Sequence, residues 1–339
     1  MRDATAAPSI SPTVFALEMA QMQHLITSFD FSSDEILNCF DRASRLKAAY
    51  LRGDRSPRYP QRVMALLFEK PSLRTRVSFE AAMVHLGGTS IYLGSDVGWG
   101  TRESIADFAT VLGNYVDIIV CRTFAHDRVV ELATHSSAPV INGLTDSFHP
   151  CQALTDLFTL SEHFESLNGR KMAFVGDANN VARSLAIVCA KLDVALTIAS
   201  PERYQLDQEF LKQLRQELPA AQIELTDDPK AAVADADVVY TDVWASMGQE
   251  EEQAKRKVAF AEFQVNSDLM RAASAQAVFM HCLPAHRGEE VTDDVLDGPQ
   301  SIAMIQAENR MHLQKGVLDR LLENARPSTS ACQLPTRSQ

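Results

Sequence analysis

The segment Phe68 to Glu80, FEKPSLRTRVSFE, joins the end of an apolar run to the start of a helical pattern near Ser72. A helix N-terminus offers free backbone N–H groups and the positive end of its dipole, so such a junction binds anions. The hydroxyls of Ser72 and Thr75 and the guanidinium of Arg74 add charge-assisted donors, with Arg76 beside them as a brace. The plain alternative, that Ser72 is only an N-cap and the arginines are surface charges, stands about even for this motif taken alone. Arg122 follows the apolar run Val116 to Cys121. In FHPCQ, Pro150 suits the first position of a helix, which puts His149 at the N-cap with Gln152 three residues on, both facing one spot. Taken alone, a histidine such as His149 is more often a capping or packing residue than a catalytic one. Asp242 follows another apolar run and precedes Trp244-Ala245-Ser246-Met247-Gly248; it can hold a substrate cation, or be a strand-end aspartate in a turn. Cys282 ends a further run, where a structural thiol is the default, and Arg310 lies on a helix where a neighbouring carboxylate could pair it.

What joins these residues is position. Each of the loop motifs falls at the carboxyl end of a strand candidate, which is where open α/β sheets bind ligands. The set holds anion donors (Ser72, Arg74, Thr75, Arg122), neutral polarising groups (His149, Gln152), and an acid with an amide and a thiol (Asp242, Asn180, Cys282). That combination suits a phosphorylated acyl donor meeting an amine.

The elements that must position them alternate short apolar runs with helically spaced segments, the pattern of strands and crossover helices in a parallel sheet. Strands are predicted at Val63 to Phe68, Val116 to Cys121, Pro139 to Ile141, Met172 to Val175, Ala195 to Ala199, Val238 to Thr241 and Ala277 to His281. A helix is predicted from Arg76 to Leu86, stopped by Gly87-Gly88. The fold class is α/β: two doubly wound parallel-sheet domains of similar size, divided in the polar stretch Leu160 to Lys171. The predicted organisation is a flexible extension 1–23, a first domain 24–160, a second domain 161–304, a helix 305–324 and a disordered tail 325–339. The charged run Gln249 to Lys257 reads as a solvated face.

Composition narrows the function classes. The chain has 339 residues, 46% of them apolar, and 32 Lys+Arg against 44 Asp+Glu give a net charge of -12, which disfavours nucleic acid or an anionic membrane as partner. No apolar stretch approaches the roughly 18 residues of a membrane span, and no targeting peptide is evident. Six scattered cysteines without a CxxC pair suggest a reducing, cytoplasmic setting. GxGxxG, the P-loop pattern, HExxH and GxSxG are all missing, so neither a dinucleotide cofactor nor a metal is expected. The turn Gly176-Asp177-Ala178-Asn179-Asn180 has one glycine where a dinucleotide site uses three, and His281 with His286 supports no metal reading.

The strings SLRTR, CRTF, HPCQ, GDANN, DVWASMG, HCLP and AENRMH occur in the order and spacing of the ornithine carbamoyltransferases, and the resemblance runs from about His24 to Leu322. The phosphate-site pattern and HPxQ belong to the wider carbamoyltransferase family; DxxxSMG and HCLP discriminate within it. The resemblance implies that Ser72, Leu73, Arg74 and Thr75 hold the phosphate of carbamoyl phosphate, and that Arg122, His149, Gln152 and Arg310 contact its phosphate or carbonyl end. It implies that Asn180, Asp242, Ser246 and Met247 hold L-ornithine, and that Cys282 and Leu283 line the reacting centre. It further implies a C-terminal helix, about Ile305 to Asn324, returning to the first domain, and a homotrimer or multiple of trimers, with no cofactor. Asp242 is expected to hold the α-amino group, leaving the δ-amine near Cys282 and away from a compensating carboxylate. Two departures are visible. The usual STRTR reads SLRTR, so a hydroxyl is lost at Leu73 while its N–H remains. The loop Val97-Gly98-Trp99-Gly100 holds no glutamine where many relatives lend one to a neighbouring subunit, and Trp99 or a water is expected to replace it. The competing readings are a carbamoyltransferase with another amine acceptor, such as putrescine or an acylated ornithine, a catalytically silent carbamoyl-phosphate-binding homologue, and a nicotinamide-dependent oxidoreductase.

Overall fold

The computed structural model describes residues 23–245 and 252–325. The predicted extension and tail, save residues 23 and 325, lie outside them, as do Ser246 and Met247.

The first half begins with α1 (Ser33–Leu51), whose start is fixed by a capping box: Glu35 N–H donates to the Ser32 hydroxyl at 3.2 Å, and Ser32 N–H to the Glu35 carboxylate at 2.8 Å. Then follow β1 (Val63–Phe68), α2 (Leu73–His85), β2 (Thr89–Leu93), α3 (Ile105–Tyr115), β3 (Ile118–Arg122), α4 (His126–His135), β4 (Val140–Leu144) and α5 (Pro150–His163). These strands form a parallel sheet in the order β2-β1-β3-β4. The second half comprises β5 (Lys171–Val175), α6 (Asn180–Lys191), β6 (Ala195–Ala199), α7 (Gln208–Glu217), β7 (Ile223–Thr226), α8 (Pro229–Val233), β8 (Val238–Thr241), α9 (Gln253–Ala259), α10 (Ser267–Ala272), β9 (Val278–His281) and α11 (Asp293–Leu296). Its parallel sheet has the order β7-β6-β5-β8-β9. Central strands such as β3 are buried along their whole length, as parallel strands covered by helices on both faces must be.

The final helix α12 (Ala303–Asn324) returns to the first half and packs along α1. The approach is so close that a Cβ on Gly316 would stand 2.5 Å from the Cys39 carbonyl oxygen, which explains the glycine.

Each sheet reverses its winding next to its first strand, and the crevices open there. In the first sheet β1 neighbours both β2 and β3; in the second β5 lies between β6 and β8, with Val175 paired to Thr241 at the strand ends.

Several boundaries differ from the sequence expectation. Strand β3 runs Ile118–Arg122, so Arg122 is its last residue and not the first after it; β4 extends to Leu144, β9 starts at Val278, and α12 starts at Ala303. Helix α2 starts at Leu73, so Leu73 to Thr75 form its first turn. The edge strands β2 and β7 were not expected, because half-exposed edges carry no continuous apolar run. Residues 249–251 of the charged run lie outside the described residues, and the remainder is not simply a solvated face: Arg256 is buried and donates to the Asp177 carboxylate at 2.7 Å and to the Trp244 carbonyl at 2.8 Å.

Candidate active site

Segments from α2, β3 and the returning helix α12 converge on Thr75. Ser72 caps α2 by accepting from Thr75 N–H at 3.2 Å, and this leaves the N–H groups of Leu73 and Arg74 at the helix mouth. The Leu73 side chain is 76% exposed, so its missing hydroxyl faces away from this cluster while its N–H stays in place. The register of β3 against β4 shifts between Cys121 and Arg122, which re-aims the arginine at the strand end. Arg122 Nη1 reaches Thr75 Oγ1 at 3.4 Å, and Arg310, from the middle of α12, donates to Thr75 Oγ1 at 2.9 Å and to Gln152 Oε1 at 2.7 Å. Arg310 thus takes hydroxyl and amide partners in place of the carboxylate considered above. Arg76 turns outward, donating to Glu80 at 3.1 Å and lying over the Tyr92 ring, so it braces the edge strand.

The electrostatics are those of an anion site. Burial and the neighbouring Arg310 and Arg74 guanidiniums push Arg122 down to about 10. His149 stands at the N-cap of α5, as the proline predicted, but makes no side-chain cap bond. Burial, Arg310 and Arg122 hold its imidazole well below the usual range, so it is neutral at physiological pH, one ring nitrogen a donor and the other an acceptor. The Nε atoms of Arg122 and Arg310 and Nδ1 of His149 are buried without a partner among the described residues. Buried guanidiniums left this way favour an incoming anion that accepts their hydrogen bonds.

The facing corner belongs to the second sheet. Asp242, at the end of β8, accepts from the Cys282 thiol at 2.9 Å through one oxygen and from Asn179 Nδ2 at 2.8 Å through the other. Burial and the Asp242 carboxylate push the Cys282 thiol well up, so it is a hydrogen-bond donor and not a thiolate. The expectation that the space beside Cys282 is free of a carboxylate is therefore wrong: Asp242 and the thiol are in direct contact. Asn180, expected to face a substrate, instead donates to the Thr145 carbonyl at 2.6 Å and, with the His149 N–H to Ser184 Oγ bond at 2.8 Å, ties the halves together. Leu283 N–H donates to His281 Nδ1 at 2.8 Å, and the other nitrogen of His281 faces Glu290 at 3.1 Å. The ligand atoms of Asp242, His281 and Cys282 lie within 4.8 Å of one another, but both His281 nitrogens are engaged elsewhere. Trp99 is 1% exposed and packed in the core of its own domain, so it cannot reach into a neighbouring subunit.

Two features escaped sequence reasoning. Asn179 rather than Asn180 meets Asp242; the adjacent pair in GDANN was the available signal. Asp156, buried on α5, accepts from Gln152 at 2.8 Å, Gln306 at 2.7 Å and Tyr240 at 3.1 Å, so it joins both halves and α12 behind the anion site. Burial pushes its carboxyl up to about 7 despite those three donors.

Comparison with known proteins places both halves in one family. Residues 23–162 match the family profile for the carbamoyl-P binding domain of aspartate/ornithine carbamoyltransferases, and residues 168–321 match that for their Asp/Orn binding domain. The ornithine carbamoyltransferase of Anoxybacillus flavithermus is 49% identical over 300 residues, covering 88% of this chain and 96% of the relative. The solved structure of the Pyrococcus furiosus ornithine carbamoyltransferase superimposes with a TM-score of 0.87 at 46% identity, covering 90% of this chain and 98% of that one. The anabolic ornithine carbamoyltransferase of Campylobacter jejuni gives 0.83 at 35% identity, covering 90% of this chain and all (100%) of that one.

Proposed function

The chain belongs to the aspartate/ornithine carbamoyltransferase family, and on that premise we propose how its own residues divide the work. The reaction is transfer of the carbamoyl group of carbamoyl phosphate to the δ-amino group of L-ornithine, giving L-citrulline and phosphate. The first half, 24–160, holds carbamoyl phosphate. Ser72, Leu73 N–H, Arg74 and Thr75 take the phosphate, and Arg122, His149, Gln152 and Arg310 take its bridging or carbonyl end. The second half, 161–304, holds ornithine through Asp242, with Ser246 and Met247 completing its amino-acid end, Leu283 lining the centre, and Asn180 bracing the two halves through the Thr145 carbonyl. Helix 305–324 carries Arg310 back to the first half.

In the chemical step the neutral δ-amine attacks the carbamoyl carbon, a C–N bond forms, and the bond to the bridging oxygen breaks as phosphate leaves with the electron pair. The amine's surplus proton goes to the departing phosphate. Arg122, the Thr75 hydroxyl and a neutral His149 N–H donate to the carbamoyl oxygen as it gains charge. A free alkyl ammonium has a pKa of about 10.4, so at pH 8 only about one molecule in 250 is neutral. Three guanidiniums facing that end favour the uncharged amine. Asp242, spanning Asn179 and Cys282, takes the α-ammonium on its free lone pairs, while the un-ionised thiol adds no second negative charge to hold a proton on the δ-nitrogen. The observation that carries this reading is the buried set of unpartnered Arg122, Arg310 and His149 nitrogens around Thr75.

The exposed apolar residues Leu73, Val77 and Val84 on α2, with Tyr92 of the edge strand on the same side of the sheet, support assembly into a homotrimer or a multiple of trimers. No helix among the described residues is long and apolar enough to cross a membrane. The free, buried cysteines support a reducing cytoplasm, and the reaction fits arginine biosynthesis.

The test is citrulline formation by the purified protein from carbamoyl phosphate and L-ornithine, with N-acetylornithine, putrescine and aspartate in parallel. Turnover with ornithine alone is expected. Turnover with another acceptor would overturn the role of Asp242, and binding of carbamoyl phosphate without turnover would mean a silent homologue.

A further inference from the structure

Away from the reaction centre, a cavity of about 500 Å³ opens between α1, the loop that follows it and α12. That volume is in the range of small-molecule sites. Its walls are unusually cationic for a chain of net charge -12, and the carboxylates around it are already committed. Asp319 accepts from Arg42 at 2.7 Å, Arg58 at 2.7 Å and the Tyr59 hydroxyl at 2.9 Å. Glu323 is paired to Arg42 at 2.5 Å, and Asp54 accepts from Ser56 N–H at 2.9 Å and from its hydroxyl at 2.7 Å.

Lys315, Arg45 and Arg55 have no carboxylate oxygen within 4.0 Å among the described residues. Lys315 is the telling member. It is 2% exposed, lines the cavity, and packs its ammonium 4.8 Å from the centre of the Tyr50 ring, whose neighbour at 3.9 Å is the Arg55 guanidinium. A buried ammonium without a counter-charge is costly, and two cations on one ring repel. Burial and Arg55 accordingly push Lys315 down to about 8. His85 stacks against Tyr50 at 4.7 Å and keeps its Nδ1 buried without a partner.

We propose that this cavity is a second anion site, separate from the reaction centre, which binds a small phosphate-bearing polyanion through Lys315, Arg45, Arg55 and His85. The lining sets Arg42, Arg45, Arg55, Arg58 and Lys315 against Asp54, Asp319 and Glu323, a surplus of two positive charges, which favours a phosphate over a single carboxylate. The same helix α12 carries Arg310 and Lys315, so the two anion sites share one element.

The experiment is calorimetric titration of the full chain, in phosphate-free buffer and without ornithine, with pyrophosphate and, separately, ribose 5-phosphate. The two ligands distinguish a free inorganic anion from the phosphate of an organic molecule. The wild type is expected to show two classes of site for at least one of them. Arg74→Ala should lose the reaction-centre class, and the surface double variant R45A/R55A should weaken the other at least tenfold while citrulline formation is unchanged. Lys315→Met, if its circular dichroism matches the wild type, should do the same; if it does not fold, the double variant decides. A double variant that titrates like the wild type, or a wild type with a single class that Arg74→Ala abolishes for both ligands, would overturn the proposal.

Discussion

Replacing Asp156 by asparagine should make the protein more stable than the wild type as the pH rises. The carboxyl is fully buried, and burial moves it from 3.8 to about 7. Between those values the folded chain keeps a proton that the unfolded chain has lost. Stability therefore falls as pH rises through that window, and the contribution of the bound proton is gone above about pH 7. Each pH unit is worth about 1.4 kcal/mol, so the full window is worth about 4 kcal/mol. Asparagine copies the protonated group: its oxygen still accepts from Gln152 and Gln306, and its NH2 donates to the Tyr240 oxygen. It has no proton to lose. Urea denaturation of both proteins at equal concentration, from pH 4.5 to 8.5, should show the stability of Asp156→Asn relative to wild type growing with pH and levelling above 7. Curves that stay parallel within about 1 kcal/mol across the range would refute the reasoning, because they would mean that Asp156 is as ionised when folded as when unfolded.

His149→Gln should lower kcat with ornithine by about 10²–10³, the usual cost of removing one donor to a developing oxyanion, and the wild-type pH profile should show no acid limb near 6.5 from this residue, which burial keeps neutral. Cys282→Ser keeps a donor to Asp242 and should retain turnover within about tenfold, whereas Cys282→Val should lose more, since Asp242 Oδ1 then keeps only the Val243 N–H donor and the loss of one hydrogen bond to a charged group costs about 1.5–3 kcal/mol; alkylation of Cys282 at pH 8 should be slower than that of free cysteine. Arg256→Ala should destabilise the fold by about 3–5 kcal/mol by stranding buried Asp177, with a larger loss at pH 8 than at pH 5, since burial pushes the Asp177 carboxyl up to about 6; calorimetric melting at the two pH values checks this.

The donor half of the site was legible because its signals are local. A cap at Ser72 and a proline after His149 each fix a helix start within four residues, and the apolar runs before them fix where those starts lie on the sheet. Asp156 was illegible for the opposite reason. In QALTDLF it occupies an ordinary polar position of an amphipathic helix, and only Tyr240 and Gln306, 84 and 150 residues away, show that it is enclosed. Arg256 is similar: a charged run reads as solvated until the fold sets Asp177 against it. The edge strand Thr89–Leu93 is mostly open to solvent, so burial left no periodic mark in TSIYL. Asn179 and Asn180 could not be separated by type; the helix start at Asn180 assigns the first to the cap and to Asp242 and the second to the Thr145 carbonyl.

The two substrates meet opposite charge environments, and this has a consequence for the order in which they bind. Ornithine arrives with two ammonium groups. Its δ-end must enter a space bounded by Arg74, Arg122 and Arg310, and Arg122 already yields to the charge of the other two. Until a dianion occupies that space, the guanidiniums repel the incoming cation, and at a low effective dielectric the repulsion is several kcal/mol per close pair. Carbamoyl phosphate removes it. In the proposed arrangement the bound dianion offsets most of the charge of those three cations. Ornithine should therefore bind weakly to the free protein and tightly once the donor is in place. The contacts that join the halves, His149 N–H to Ser184 and Asn180 to Thr145, hold the acidic corner of Asp242 in register with the cationic one while this happens. The net charge of -12 should favour the long-range approach of a cationic acceptor, so the proposed dependence on carbamoyl phosphate acts at the cation cluster and not at encounter.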